Sequence, residues 1–282
     1  MKRWILLFIL LPSILFGQNL DFSVGMNKGI GFHNINIDFY QKYYESFLEY
    51  CLDGNTFNMQ VEFDIHNVKL NYEFKNATYK GVVWDTDFEM GMINSRMDAL
   101  GKSASNLHLI ELGYIFNYKH VDVTLFLSQF WFDLEHNMTG GNIYIGGWWY
   151  YNKPIIGLNS VYTDENSGYG MGIEFDFWRI KSKLNYFHRV KNKGTGWWNL
   201  REMTFTLHTY LDYYKGYVKF NVINQKFFDI SLNYSFDVFH SIGGKWDTNR
   251  TITNIENYES NSDVSKNMKF HHSVGINFVL NI

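Results

Sequence analysis

Long runs in which every second residue is apolar constrain this chain more than any other feature. Over residues 228–238, Phe228, Ile230, Leu232, Tyr234, Phe236 and Val238 alternate with Asp229, Ser231, Asn233, Ser235 and Asp237. Successive side chains of a β-strand point to opposite faces, so such a run has one apolar and one polar side. The same period marks 57–65, 68–74, 108–118, 121–127, 173–186 and 203–212. Tight turns at His66 and Asn67, Lys119 and His120, and Trp178 and Arg179 pair these runs into hairpins.

The opening eighteen residues read differently. Lys2 and Arg3 precede an apolar stretch from Trp4 to Phe16, and Gly17 stands before Gln18. That is the pattern of a secretory signal peptide, which leaves residues 19–282 as one β domain. After residue 18 nothing approaches the roughly 20 consecutive apolar residues of a spanning helix. A membrane could therefore be crossed only by a closed barrel, which pairs every backbone group within itself. A formal charge of −3 offers no basic excess to nucleic acid. Cys51, the single cysteine, has no partner for an internal disulfide.

Alternation alone is equally compatible with a soluble sandwich. Four features favour a barrel in lipid. The runs reach 10–13 residues, against about 5–6 for an ordinary strand. Aromatics, 19% of the chain, gather at run ends as Phe130 to Phe132, Trp148 to Tyr151, Trp197 with Trp198, and Tyr213 with Tyr214, where interfacial girdles are expected. Carboxylates lie deep in the polar faces. Last, 271–282, "HHSVGINFVLNI", is itself an alternating strand.

On that strand the chain resembles bacterial outer-membrane β-barrel proteins. The resemblance implies a closing strand whose lipid face is Val274, Ile276, Phe278, Leu280 and Ile282, read by the barrel-assembly machinery during insertion. Ile282 stands where the family usually has Phe or Trp. The "FGQ" at residues 16–18 resembles signal peptides of Bacteroidota. The fold expected is an all-β, antiparallel transmembrane barrel of about 12 strands, with 10 or 14 as alternatives, in a Gram-negative outer membrane. Polar segments 93–106, 132–141, 163–168, 191–199 and 240–268 are expected as loops, and 41–54 fits either a short helix or a strand.

With apolar faces outward, the lumen would be lined by Glu62, Asp64, Lys69, Glu73, Glu111, Asp122, Glu174, Asp176, Lys181, Lys183, His208, Asp212, Asp229 and Asp237, with Glu202, Arg189 and Lys219 beside them. Acids outnumber bases in that set, so an open lumen would favour cations. The expected function is a small pore for polar solutes or ions. The alternative is a non-conducting barrel that adheres, anchors or binds a partner through long polar loops. Membrane lipid, the assembly machinery and a small polar solute or cation are the expected partners, without cofactor or metal. Asp164, Glu165 and Asn166, with Asp85 and Asp87, lack calcium-loop spacing. His271, His272 and Ser273 resemble the site of lipid-hydrolysing barrels only faintly, and the chain is not expected to be an enzyme.

Overall fold

A computed structural model describes residues 21–41, 44–89, 92–145, 151–154, 159–198, 203–250, 260–264 and 268–281. Residues 1–18, Trp148 to Tyr150, Glu202 and Ile282 lie outside them. The described residues form twelve strand segments: β1 (Asp21–Gln41), β2 (Tyr44–Ile65), β3 (Val68–Glu89), β4 (Met92–Tyr118), β5 (Val121–Ile145), β6 (Tyr151–Pro154), β7 (Asn159–Phe177), β8 (Ile180–Trp198), β9 (Met203–Asn224), β10 (Phe228–Arg250), β11 (Ser260–Val264) and β12 (Met268–Asn281).

All neighbours are antiparallel, and the sheet closes where β12 pairs with β1, from Ser23 opposite Asn281 to Ile35 opposite Lys269. Two short segments prolong longer ones. β6 pairs with β5 beyond the start of β7, and β11 pairs with both β10 and β1 beyond the start of β12. Twelve segments thus occupy ten positions around the ring, the lower of the strand numbers the sequence allowed. Closure satisfies the backbone of every stave against its neighbours, the condition for crossing lipid.

The expected two-residue turns are present, and His66, Lys119 and Trp178 take positive φ of 55°, 57° and 55° there. Positive φ matches a tight turn to the right-handed twist of its two strands. These turns and the 225–227 bend lie at one end, here the lower end, together with the start of β1 and the finish of β12.

The expected loops are not loops. Segments 93–106, 132–141, 163–168 and 191–199 fall within β4, β5, β7 and β8 wherever they are described, and 240–268 supplies the top of β10 and all of β11. Residues 44–54 are strand as well. β4 runs 27 residues, about 90 Å at ~3.3 Å per residue. Spanning a bilayer takes only about 9–11. Much of the wall therefore stands above the membrane, with Lys102, Lys191 and Lys193 on the outer surface of a sheet in water, while Ser103, Ser105, Asn166 and Asn192 are buried on its inner face.

On several long strands the two faces exchange polarity, β4 and β9 most plainly. On lower β4, Ile110, Leu112, Tyr114 and Phe116 point outward and are exposed, Leu112 by 53%, while Glu111 is buried inside. A few residues higher, Leu107 and Leu109 are buried inside, and Lys102 is outside. β9 repeats this: Val218 and Phe220 face out below, with Lys215 and Lys219 inside, and above them Leu207, Leu211 and Tyr213 turn inward. The lower band fits lipid outside and polar groups inside. The upper wall has the sense of a water-soluble protein, its interior largely apolar on β5 and β9 while Ser160, Asp164 and Asn166 are buried on β7.

Candidate functional site

The interior is the candidate site, and it is layered. At the lower mouth a cavity of about 820 Å³ opens between the short turns, lined by Asp64, Asp176, Lys219, Lys226 and Asp229 among others. Above it ion pairs cross from wall to wall. Lys69 Nζ lies 3.1 Å from Glu174 Oε1, and Lys181 Nζ 3.1 Å from Glu62 Oε2 and 3.4 Å from Glu174. Tyr217 Oη donates to the other Glu174 oxygen at 2.7 Å. Glu111, fully buried, accepts from Lys183, Asn71, Asn185 and Ser128. The Lys183 ammonium also sits over the Phe126 ring. Higher again, Lys215 meets Glu73 at 2.8 Å, Lys75 meets Asp237 at 2.6 Å, and Tyr213 Oη donates to Asp237 at 2.8 Å.

This network is topped by stacked rings. Phe187 and Tyr213 lie 5.2 Å apart, Tyr213 and Phe239 4.2 Å, and Phe239 and Phe132 4.8 Å, with Phe130 edge-on to Phe187 at 4.6 Å. Leu109, Leu107 and Val190 join the same buried cluster. The layer follows from the polarity exchange: the first inward residues above the belt are aromatic. Phe130, Phe132 and Tyr213 therefore do not belong to an interfacial girdle as expected. Trp131 and Tyr214, the alternate residues, are the ones that face out.

Of the residues expected to face a lumen, Glu62, Lys69, Glu73, Glu111, Glu174, Lys181, Lys183 and Asp237 belong to the ion-pair network. Asp64, Asp176 and Asp229 line the lower cavity. Asp122 stands at the lower rim, accepting from Asn117 at 2.8 Å. His208, Asp212 and Arg189 are on the opposite side from that expected. His208 and Arg189 are exposed on the outer face, and Asp212 binds His188 Nδ1 at 3.0 Å there. His208 and Asp212 lie above the exchange of polarity, where the polar side of β9 is the outside; Arg189 is turned out by the irregularity of β8 between Phe187 and Val190, both buried inside, where it takes a positive φ of 50°. Lys75 and Lys215, both inside and both paired, fall outside the expected set. Each shares its parity with the inward Glu73 and Lys219, which is signal enough to find them.

On the closing strand Val274, Ile276, Phe278 and Leu280 are exposed on the outer face. His271 and Ser273 turn inward, and Ser273 Oγ lies 2.7 Å from Ser235 Oγ. Among the described residues no group of three or more His, Cys, Asp or Glu is arranged to hold a metal ion.

No protein-family model matches the chain, and no curated protein matches it. Solved structures do. The outer membrane protease OmpT from Escherichia coli is similar with a TM-score of 0.76 at 9% identity, over 92% of this chain and 97% of that one. The transport unit of the autotransporter AIDA-I from Escherichia coli (10% identity, 92% and 89% covered) and the monoaromatic hydrocarbon channel CymD (7%, 97% and 92%) superpose far more loosely, each with a TM-score of 0.26. At 9% identity the likeness to OmpT is one of fold: the architecture is that of an outer-membrane β-barrel.

Proposed function

We propose that this protein is a non-conducting barrel of the Gram-negative outer membrane whose working surface is the wall projecting above the lipid. The observation that carries this reading is the filled interior. Cross-barrel ion pairs and then stacked aromatic rings occupy the bore at successive levels. A hydrated ion would have to displace both. In this reading residues 1–18 direct export, the assembly machinery inserts the chain by its closing strand, and the lower end faces the periplasm, where short turns of such barrels lie. The tall outer wall, polar and furnished with Trp131, Trp197 and Tyr210, meets a partner outside the cell.

The runner-up reading is a small pore for polar solutes or ions, favoured by the polar lower interior and its cavity. The aromatic layer would then be its gate. A planar bilayer separates the two. Refolded protein in asymmetric potassium chloride is expected to insert without conductance steps. Steady open steps with a cation-favouring reversal potential would overturn the closed-barrel reading and establish the pore.

A further inference from the structure

The outer face of the barrel carries a strained feature that the closed interior does not use. Among the described residues four other than glycine take a positive φ, and three of them occupy the two-residue turns. The fourth, Arg189, lies in the middle of β8, where the register against both β7 and β9 slips between Phe187 and Val190. Phe187 and Val190 are buried, so the extra residue turns His188 and Arg189 outward together. Asp212 on β9 fastens this bulge. Its Oδ1 accepts the Arg189 backbone N–H at 3.0 Å and lies 3.0 Å from His188 Nδ1, and its Oδ2 accepts from Tyr186 Oη at 3.3 Å. Left-handed backbone at a residue with a side chain is costly, persists only where its surroundings hold it, and gathers at ligand clamps.

The bulge stands at the upper edge of the apolar belt. Leu127, Met171 and Tyr214 share the ladder row below it, and Trp131, Lys191 and Tyr210 the row above. Outward Tyr and Trp at this level mark the boundary between hydrocarbon and headgroups. The Arg189 guanidinium lies 5.4 Å from the centre of the Tyr210 ring, and Lys191 is the direct strand partner of Tyr210. Two cations thus flank one ring, and neither has a carboxylate within 4 Å among the described residues. The acids nearby are engaged elsewhere: Asp212 holds the bulge, and Glu165 is opposite Lys193, one row higher. A hollow of about 550 Å³ over the same rows is lined by Trp131, Ser167, Lys191 and Tyr210 among others.

The chemistry of the pair selects the ligand. Guanidinium and ammonium groups together give a phosphate several charge-assisted hydrogen bonds, the guanidinium as a planar fork. The position selects its carrier. Directly below, the exposed side chains of Met171 and Leu127 are apolar surface for acyl chains, which a free phosphate ion does not need.

We propose that Arg189 and Lys191, set around Tyr210 by the bulge of β8, form a site for the phosphate headgroup of a lipid in the outer leaflet, whose acyl chains lie against the apolar belt. The site rests on the orientation given above, with the short turns toward the periplasm, and not on whether the barrel conducts.

Native mass spectrometry of the full chain folded in detergent tests this with diphosphoryl lipid A, the same lipid stripped of its phosphates, and inorganic phosphate. The phosphorylated lipid is expected to bind at least about tenfold more tightly than the stripped one. Arg189→Gln with Lys191→Gln should abolish that preference. Lys80→Gln with Lys102→Gln, an exposed and directly paired set on the outer face of β3 and β4, should leave it unchanged. Equal binding of the two lipids, equal losses in the two double variants, or displacement of the lipid by equimolar inorganic phosphate would overturn the proposal. Heat-dependent gel mobility shows whether each variant is folded. If the bulge variant does not fold, Lys191→Gln on the regular ladder above it decides: a several-fold loss supports the site and no loss overturns it. Binding in detergent is independent of conductance, so a negative result leaves the closed barrel standing, and open channel steps leave this site standing.

Discussion

Tyr213 and Phe239, directly opposite one another on β9 and β10, stack inside the barrel with ring centroids 4.2 Å apart and planes within 2° of parallel. Tyr213 reaches down to Asp237 with its hydroxyl and touches Phe130 and Phe187 with its ring. It therefore joins the ion-pair network to the aromatic layer above it, and the two layers of the interior meet at one side chain.

Removing part of that layer should open a space and weaken the fold. Phe239→Ala is expected to cost about 3–5 kcal/mol, the usual range for a large buried aromatic cut to alanine. The shift in the midpoint of denaturant unfolding measures it. Combining Phe239→Ala with Phe187→Ala should also produce conductance steps in a bilayer if these rings are what blocks the bore.

Glu111 separates a buried charge from a buried pair. Glu111→Ala leaves the Lys183 ammonium without its carboxylate inside the wall, and a loss of about 3–5 kcal/mol is expected. Glu111→Met with Lys183→Met removes both charges and should be less destabilising than Glu111→Ala alone. A double-mutant cycle by equilibrium unfolding in detergent or lipid checks the order; a double variant weaker than the single one would contradict it.

The level at which the faces exchange polarity can be mapped with an arginine at two heights. Leu112→Arg places a charge on the exposed lower belt of β4 and should cost about 2–4 kcal/mol in a bilayer. Ala104→Arg, exposed on the same face higher up the strand, should change stability by less than about 0.5 kcal/mol, as an ordinary surface substitution does. Similar losses at both sites would place the lipid boundary higher than the polarity exchange does.

Asp212 offers the contrasting case. Its contact with His188 lies on the outer surface, where exposed pairs contribute about 0–1 kcal/mol. Asp212→Asn should shift the unfolding midpoint by no more than that and leave bilayer behaviour unchanged. A change in conductance would put Asp212 in the bore.

Residue order alone dictates the strand period, the three two-residue turns, and the outward face of the closing strand from Val274 to Leu280. It does so because lipid outside and polar groups inside impose one uninterrupted alternation over the lower barrel. The upper barrel is settled only by the assembled fold. Once a strand rises above the lipid, water surrounds its outer face, and apolar residues are stabilised only by turning inward. On β9 the period of two continues through that change with the polarity of the faces exchanged. Leu207 and Leu211 are thus interior, while His208 and Asp212 are on the surface, although alternation alone describes both parities equally well. Polar stretches such as 93–106 look like loops for the same reason: a sheet wall in water needs no apolar outer face. The carboxylate that each lysine meets is equally invisible in the sequence, since Lys69 and Glu174 are 105 residues apart and come together only because the ring closes.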